Sequence, residues 1–311
     1  MTDFPEAETE AAYDTIDRER LWPAVLELCA HLGLPEAAVT AFERGSLPVY
    51  AVGDRHVLKL YPPVYRGESA IERRVLDALH GRLPVPTPGV RADGVRQGWG
   101  YLLMDRLSGE ALLDAWPAIP AEQRVALMSR LGAILAALHA VPAPPLEPAD
   151  WADFVAERRA GCAARQRELG LARSWADQIP GFLASVELPS SPRVLLHTEF
   201  MPAHILIEPD PDTGEPTPSG LFDFEPALSG PREYDLVAVG VFVTRGDPKL
   251  LRAFLTGYGY HPDELAALPR VVMAYTLLHA QANLPWFRRE SAVPDPVTTL
   301  DELAEHWFGS A

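Results

Sequence analysis

Cysteine is nearly absent. The 311 residues hold two, Cys29 and Cys162, each in a helix-like apolar setting and neither at metal-ligand spacing. That excludes a disulfide framework and suits a reducing compartment, so a cytoplasmic location is expected. Basic charge is also scarce, with 27 Lys plus Arg against 43 Asp plus Glu and a net charge of −16. Such a balance disfavours nucleic acid as a partner, because binders of a phosphate backbone present basic surface. It favours cationic ligands by long-range attraction, although solubility alone explains the same balance. No run of about eighteen apolar residues occurs, so no membrane span is expected. Met1 to Glu10 is acidic and lacks the apolar core of a signal peptide. No internal repeat is present, and biased composition is confined to Pro142–Pro148 and the turn Pro209–Pro218.

What the chain has is a hydrophobic content of 48% over a length that exceeds one ordinary core, which predicts two lobes. Its most informative stretch is Leu195 to Asp223. Val194-Leu195-Leu196 and Ile205-Leu206-Ile207 are short apolar runs, turn formers follow from Pro209 to Pro218, and Gly220-Leu221-Phe222 starts a third run. The pattern predicts strand, loop, strand, turn, strand, with the third strand ending on Asp223. A hairpin there would set His204 beside Asp223, with Glu199 nearby. Phosphoryl transfer uses such a layout, in which one group orients the acceptor hydroxyl and others hold magnesium against the phosphates. The kinase pattern of Asp, four residues, Asn and a later Asp-Phe-Gly is matched in spacing by Glu199, His204 and Asp223-Phe224-Glu225, with Glu and His substituted.

The runs His197-Thr198-Glu199-Phe200-Met201-Pro202-Ala203-His204-Ile205-Leu206, Phe222-Asp223-Phe224 and Gly230-Pro231-Arg232-Glu233-Tyr234-Asp235-Leu236 together resemble the aminoglycoside phosphotransferase family. The usual motifs of that family are His-Gly-Asp, four residues, Asn-Ile-Leu; then Ile-Asp-Phe-Gly; then Gly-Asp-Pro, one residue, Tyr-Asp-Leu. The resemblance implies an α+β, two-lobed, protein-kinase-like fold. Residues 1–104 would form a nucleotide-binding lobe with an antiparallel sheet plus a helix. Residues 105–311 would form a mostly helical lobe with the catalytic hairpin at 195–224 and the acceptor-binding helices. The implied reaction moves the γ-phosphoryl of ATP or GTP to a hydroxyl of an aminoglycoside-like antibiotic, with Mg2+, or Mn2+ in its place. A kinase of a macrolide or another metabolite, and a nucleotide-binding pseudokinase without transfer, are the alternatives. Monomer and homodimer are both open.

In the first lobe, Tyr13 to Leu34 has helical spacing, and two β-prone runs flank Gly53-Asp54 as a hairpin. Gly45-Ser46 opens the first of those strands; the resemblance places a nucleotide-phosphate loop there. Lys59 lies inside the strand Val57-Leu58-Lys59-Leu60. Glu72 follows in the helical pattern Glu68 to Leu79, and a strand lysine paired with a helix glutamate is the kinase device that holds the α- and β-phosphates. Glu68 is the fallback partner, one turn earlier. Trp99 to Met104 is the last strand of the lobe. The hinge follows from Asp105 to Gly109, so the main chain of Met104 to Leu107, Arg106 included, would meet the purine edge.

In the second lobe, Glu122 to His139 and Trp151 to Ala172 predict helices, as do Lys249 to Gly257, Pro262 to Ala266, Val271 to Asn283 and Thr299 to Phe308. His139 is expected to cap its helix C-terminus. His197 would brace its loop. Glu199 stands where the family has its Asp base, reaching roughly 1.5 Å further. His204 replaces the family's Asn, as in macrolide phosphotransferases, and imidazole suits softer ions than magnesium. Asp223 is the leading metal ligand. Glu225, where glycine is usual, is a second metal contact or a turn residue, and the turn is the simpler reading. Asp235 is expected to accept hydrogen bonds from the catalytic loop. Acidic Asp150, Asp153 and Glu157 could face a cationic sugar, and a solvated helix explains them equally well.

Overall fold

The structure is a computed structural model that describes residues 3–291 and 293–310. Met1 and Thr2, at the head of the acidic amino-terminal stretch, lie outside the described residues, as do Ala292 and Ala311. The chain divides into two compact units. The first contains residues up to Arg82, Pro86–Ser108 and Gly220–Pro226; the second contains Leu83–Val85, Gly109–Ser219 and the chain from Ala227 onward. Asp223, Phe224 and Glu225 therefore fold with the first unit, although they were expected in the second.

The first unit carries α1 (Glu10–Asp14), α2 (Trp22–His31), β1 (Val39–Ala41), β2 (Val49–Val52), β3 (His56–Tyr61), α3 (Arg66–Leu79), β4 (Val90–Arg96) and β5 (Trp99–Asp105). The strands form one antiparallel sheet in the order β1-β2-β3-β5-β4. Side chains alternate across a strand, so register decides which residues share a face. Lys59 sits opposite Val49 and Leu102, while Val57 sits opposite Ala51 and Met104. Thr40 sits opposite Ala51 and joins the same face. The other face presents Tyr50, Leu58, Leu60 and Leu103 to Leu21, Val25 and Leu28 in a buried core. Burial of each such side chain contributes about 1.5–3 kcal/mol.

The single helix expected over Tyr13 to Leu34 is broken. Asp17 adopts an extended conformation and accepts the backbone N–H of Glu19, which starts a separate 3-10 turn at Arg18–Leu21 before α2 begins with Pro23 in its first turn. Gly45-Ser46 also departs from expectation, because it lies in the connection between β1 and β2, before β2 starts at Val49. Gly45 has φ +111°, a conformation that only glycine adopts without strain. In α3 the buried positions are Glu72, Val75, Leu76 and Leu79. Their spacing makes one stripe, so the glutamate enters the interior with the apolar residues.

The second unit starts with β6 (Glu110–Ala111), α4 (Leu112–Ala115), α5 (Ala121–Ala140), α6 (Trp151–Glu168), α7 (Arg173–Ala176) and α8 (Ile179–Ser185). Then come β7 (Arg193–Leu196), β8 (Ile205–Pro209), β9 (Pro216–Leu221, whose last two residues lie in the first unit), β10 (Leu228–Pro231) and α9 (Leu236–Ala238). Helices α10 (Pro248–Tyr258), α11 (Leu268–Leu278), α12 (Leu284–Glu290) and α13 (Leu300–Phe308) complete it. The predicted strand, loop, strand, turn, strand is present, with β6-β8-β9 in one sheet and β7-β10 in another. The third strand is longer than expected and ends at Leu221, so Asp223 lies beyond it with φ +76°. Helix α6 stops at Glu168, short of Ala172, because Gly170 turns the chain with φ +91°. Only a 3-10 turn, Pro262–Glu264, forms where a helix to Ala266 was expected. Helix α11 starts earlier than expected and ends at Leu278, where His279 becomes extended. Helices α5 and α10 pack closely at Gly132 and Gly257, where an added Cβ would run into the carbonyls of Phe254 and Ser129. Among the described residues, no helix is long and apolar enough to cross a membrane.

Candidate active site

Lys59 is only 4% exposed, and β3 aims its ammonium at three carboxylates of the same unit. Nζ donates to Glu72 Oε2 at 2.9 Å, to Asp223 Oδ1 at 2.5 Å and to Glu225 Oε2 at 2.6 Å. Glu72 is the partner of Lys59, and Glu68 is not needed for that role. Tyr61 stands two residues after Lys59 on the same strand face, and its hydroxyl donates to the same Glu72 Oε2. The other Glu72 oxygen accepts the backbone N–H of Phe224 at 3.2 Å. One helix carboxylate thus ties together β3 and the segment that carries Asp223.

Charge dominates this cluster. Burial alone would lower the pKa of Lys59, but Asp223, Glu72 and Glu225 around it hold it well above its ordinary value. The ammonium therefore stays charged. Glu225 moves the other way from a typical surface acid: burial, together with nearby Asp223 and Glu72, pushes its carboxyl well above the usual range despite Lys59. Ligand oxygens of Glu72, Asp223 and Glu225 lie within 4.8 Å of one another. A divalent ion that displaced the Glu225 proton would find three carboxylate oxygen donors here.

Tyr61 was missed as a site residue, and Glu225, weighed as a second metal contact but read as a turn residue, belongs to the cluster. The i+2 spacing from Lys59 was the available signal for Tyr61. For Glu225 the sign was an acid where the family has glycine, and it was outweighed by the simpler turn reading.

The same sheet face carries a concavity of about 240 Å³ lined by Thr40, Ala51, Gly53 and Arg106, among others. Its floor of Ala51 and Thr40 continues the row that holds Lys59. Met104 lies on this face and is 5% exposed. The backbone N–H of Arg106 donates to Arg55 at 2.8 Å, so this hinge donor is engaged within the unit. Gly45 and Ser46 have their carbonyls held by Arg18 (2.7 and 3.0 Å), and Tyr13 also donates to Ser46.

In the second unit, the loop after β7 carries Glu199 and His204. Asp235 is fully buried and accepts the backbone N–H groups of His197 at 2.9 Å and Thr198 at 2.6 Å. His139 Nε2 lies 2.8 Å from the same carboxylate, and its Nδ1 lies 2.7 Å from the Tyr258 hydroxyl. His139 therefore links α5 to Asp235 and α10 through its ring, where a dipole cap was expected. Thr198 has φ +68°, at the position where the resemblance has glycine. Its carbonyl accepts from His279 Nε2 at 3.3 Å. His279 was not singled out in the sequence, because a histidine at the end of an apolar helix carries no distinguishing pattern.

His204 Nδ1 lies 3.0 Å from the backbone carbonyl of Glu199. A carbonyl only accepts, so Nδ1 carries a proton, and in the neutral ring the lone pair is then on Nε2. Metal-ligating histidines commonly use this arrangement. The Glu199 carboxylate stands 3.9 Å from that ring nitrogen and is 25% exposed. It is therefore accessible to a small hydroxyl. Imidazole with this tautomer and the carboxylates beside Lys59 are both donor types that fit a divalent ion.

A sheet unit with a buried Lys–Glu pair, and a helical unit with a carboxylate braced on a loop, define the scaffold of a kinase-like phosphotransferase. The profile of the Phosphotransferase enzyme family matches residues 38–268. The chain belongs to this family, and it is a small-molecule phosphotransferase acting on a hydroxyl group. Solved structures share the fold. The GDP and kanamycin complex of APH(2'')-IIia aligns with a TM-score of 0.68 at 17% identity, over 87% of this chain and 94% of that one. Macrolide 2'-phosphotransferase MphH from Brachybacterium faecium aligns with a TM-score of 0.60 at 22% identity, over 88% and 99%. The streptomycin–ATP–APH(2'')-IIa ternary complex aligns with a TM-score of 0.60 at 14% identity, over 94% and 99%.

Proposed function

We propose that the chain transfers the γ-phosphoryl group of ATP or GTP to a hydroxyl of an aminoglycoside-like antibiotic, conferring resistance in the cytoplasm. The observation that carries this reading is the buried Lys59–Glu72 pair, at 2.9 Å, beside Asp223. On nucleotide binding, Lys59 would exchange carboxylate partners for α- and β-phosphate oxygens, with Glu72 keeping it oriented. The Gly45–Ser46 turn would meet the phosphates, and the purine would occupy the concavity near Met104 and Arg106. Glu199 would accept the hydrogen bond of the acceptor hydroxyl and take its proton as that oxygen attacks the γ-phosphorus. The bond between the γ-phosphorus and the bridging oxygen breaks, and the nucleoside diphosphate leaves. Asp223 and His204 are the proposed ligands of Mg2+, or of Mn2+, which when bound neutralises phosphate charge. The net charge of −16 suits a polycationic acceptor.

A macrolide acceptor is the second reading, favoured by His204 with its Nε2 lone pair in place of the family's Asn. The test is incubation with ATP or GTP, Mg2+ or Mn2+, and panels of aminoglycosides and macrolides, with phosphorylated product read by mass spectrometry. Aminoglycoside product supports the first reading, and macrolide product alone supports the second. Nucleotide binding without product from any acceptor would make the chain a pseudokinase. Turnover that survives in Glu199→Gln while Asp223→Ala abolishes it would remove Glu199 as base. Gel filtration of the active protein distinguishes monomer from homodimer.

A further inference from the structure

The Gly45–Ser46 turn has little packing of its own. Gly45 lacks a side chain, and a Cβ placed there would meet only the Leu47 carbonyl, at 3.7 Å. What orders the turn lies elsewhere in the sequence. Arg18 donates to the carbonyls of Gly45 and Ser46, and the Tyr13 hydroxyl donates to Ser46. A trans peptide is planar with its C=O and N–H antiparallel. Holding the carbonyls of Gly45 and Ser46 toward Arg18 therefore turns the N–H groups of Ser46 and Leu47 to the opposite side. Arg18 and Trp22 line one concavity with Tyr50, and Tyr50 belongs to the sheet face opposite Lys59. With the carbonyls of those two peptides taken by Arg18, the Ser46 and Leu47 N–H groups point away from that side chain.

The segment bearing Tyr13 and Arg18 is itself fixed at several points. Phe4 stacks on Trp99 at 5.4 Å, and Trp99 Nε1 donates to the Pro5 carbonyl at 2.8 Å. Ala7 accepts the backbone N–H of Val64 at 3.0 Å, just before α3. Tyr13 meets Tyr65 edge-on at 5.9 Å and Trp99 at 6.3 Å. One short stretch therefore anchors on the last strand, on the entry to the helix that carries Glu72, and on the turn.

We propose that residues 3–18 act as a brace that presents the Ser46 and Leu47 amides to a nucleotide phosphate, with Arg18 and Tyr13 as positioning residues. This rests on the nucleotide reading given above. Arg18→Ala is expected to raise KM for the nucleotide about five- to tenfold with kcat nearly unchanged, since charge-assisted hydrogen bonds to two carbonyls are lost. Tyr13→Phe should raise KM about twofold to threefold, and Arg18→Lys should recover part of the loss. Hydrogen exchange of residues 42–48 should quicken in Arg18→Ala, and excess ATP or GTP with Mg2+ should slow it again. Unchanged exchange and unchanged nucleotide KM in both variants, with thermal unfolding as in the parent, would overturn the brace alone. A parent chain that binds neither ATP nor GTP in calorimetry would overturn the nucleotide reading, and the proposed presentation to phosphate with it.

Discussion

The carboxylate of Asp235 holds the backbone N–H of Thr198 at 2.6 Å while Thr198 sits at φ +68°. A β-branched residue in the left-handed region is strained, so the loop is kept there by its bonds and not by its own preference. Thr198→Gly removes that strain and should raise stability by about 0.5–1 kcal/mol, less any loss from the freer unfolded chain. A thermal melt checks this. An unchanged or lower Tm would mean that the lost side-chain contacts, together with the freer unfolded chain, offset the relieved strain.

Asp235 is the anchor of that loop. Asp235→Ala leaves the N–H groups of His197 and Thr198, and the His139 ring, without their buried acceptor. The loss should be about 3–5 kcal/mol in denaturant unfolding. Asp235→Asn should be intermediate, because one of its two acceptor positions becomes a donor.

Lys59→Met should destabilise the protein by about 3–5 kcal/mol, since it strips the cation from buried carboxylates. Phosphoryl transfer should fall by about a hundredfold or more, as when a preorganised electrostatic contact is removed. Lys59 is one of only two lysines in the chain, the other being Lys249, so an amine-reactive nucleotide analogue offers a direct readout. Labelling of Lys59 that nucleotide suppresses is the expected result; equal labelling with and without nucleotide would count against the phosphate role.

Stability should fall in acid through His279. Burial lowers its pKa to about 4 from the ordinary 6.5. Its Nδ1 accepts the N–H of Gln281 at 3.1 Å, a bond that a protonated ring cannot make. The folded pKa is depressed, so the unfolded chain binds the extra proton more readily. The contribution is present above about pH 6.5 and is lost progressively down to about pH 4, for a total of about 3 kcal/mol. Denaturant midpoints measured across that range should flatten in His279→Gln.

The metal preference should follow His204. Replacing the imidazole with an oxygen donor, His204→Asn, should raise the ratio of Mg2+- to Mn2+-supported turnover about tenfold. An unchanged ratio would remove His204 from the ligand set.

Much of this was legible in the residue order. The helical spacing of Val75, Leu76 and Leu79 marked the buried side of α3, while Glu72 was picked out by the kinase pairing of a strand lysine with a helix glutamate. Asp235 was read correctly as the acceptor for the loop. Other features depended on partners that periodicity does not name. The contact of Glu225 with Lys59 spans 166 residues of chain, and nothing local at Glu225 names that partner. Asp17 broke the first helix through one side-chain bond to Glu19, which an apolar count over Tyr13 to Leu34 passes over. The Gly45–Ser46 turn was assigned to a strand start because its φ values cannot be seen in sequence.

The seven residues Gly220–Pro226 belong to the first unit although the chain reaches them only after most of the second. A ribosome that has made residues 1–108 has not yet supplied Asp223, Phe224 or Glu225, so Lys59 must wait for two of its three acidic neighbours. At about 5–20 residues per second that interval lasts roughly ten seconds. A gene fragment ending at Ser108 would therefore yield a sheet with an unfinished interior, and severing the polypeptide between Ser108 and Gly220 should be rescued only by supplying the missing piece in trans.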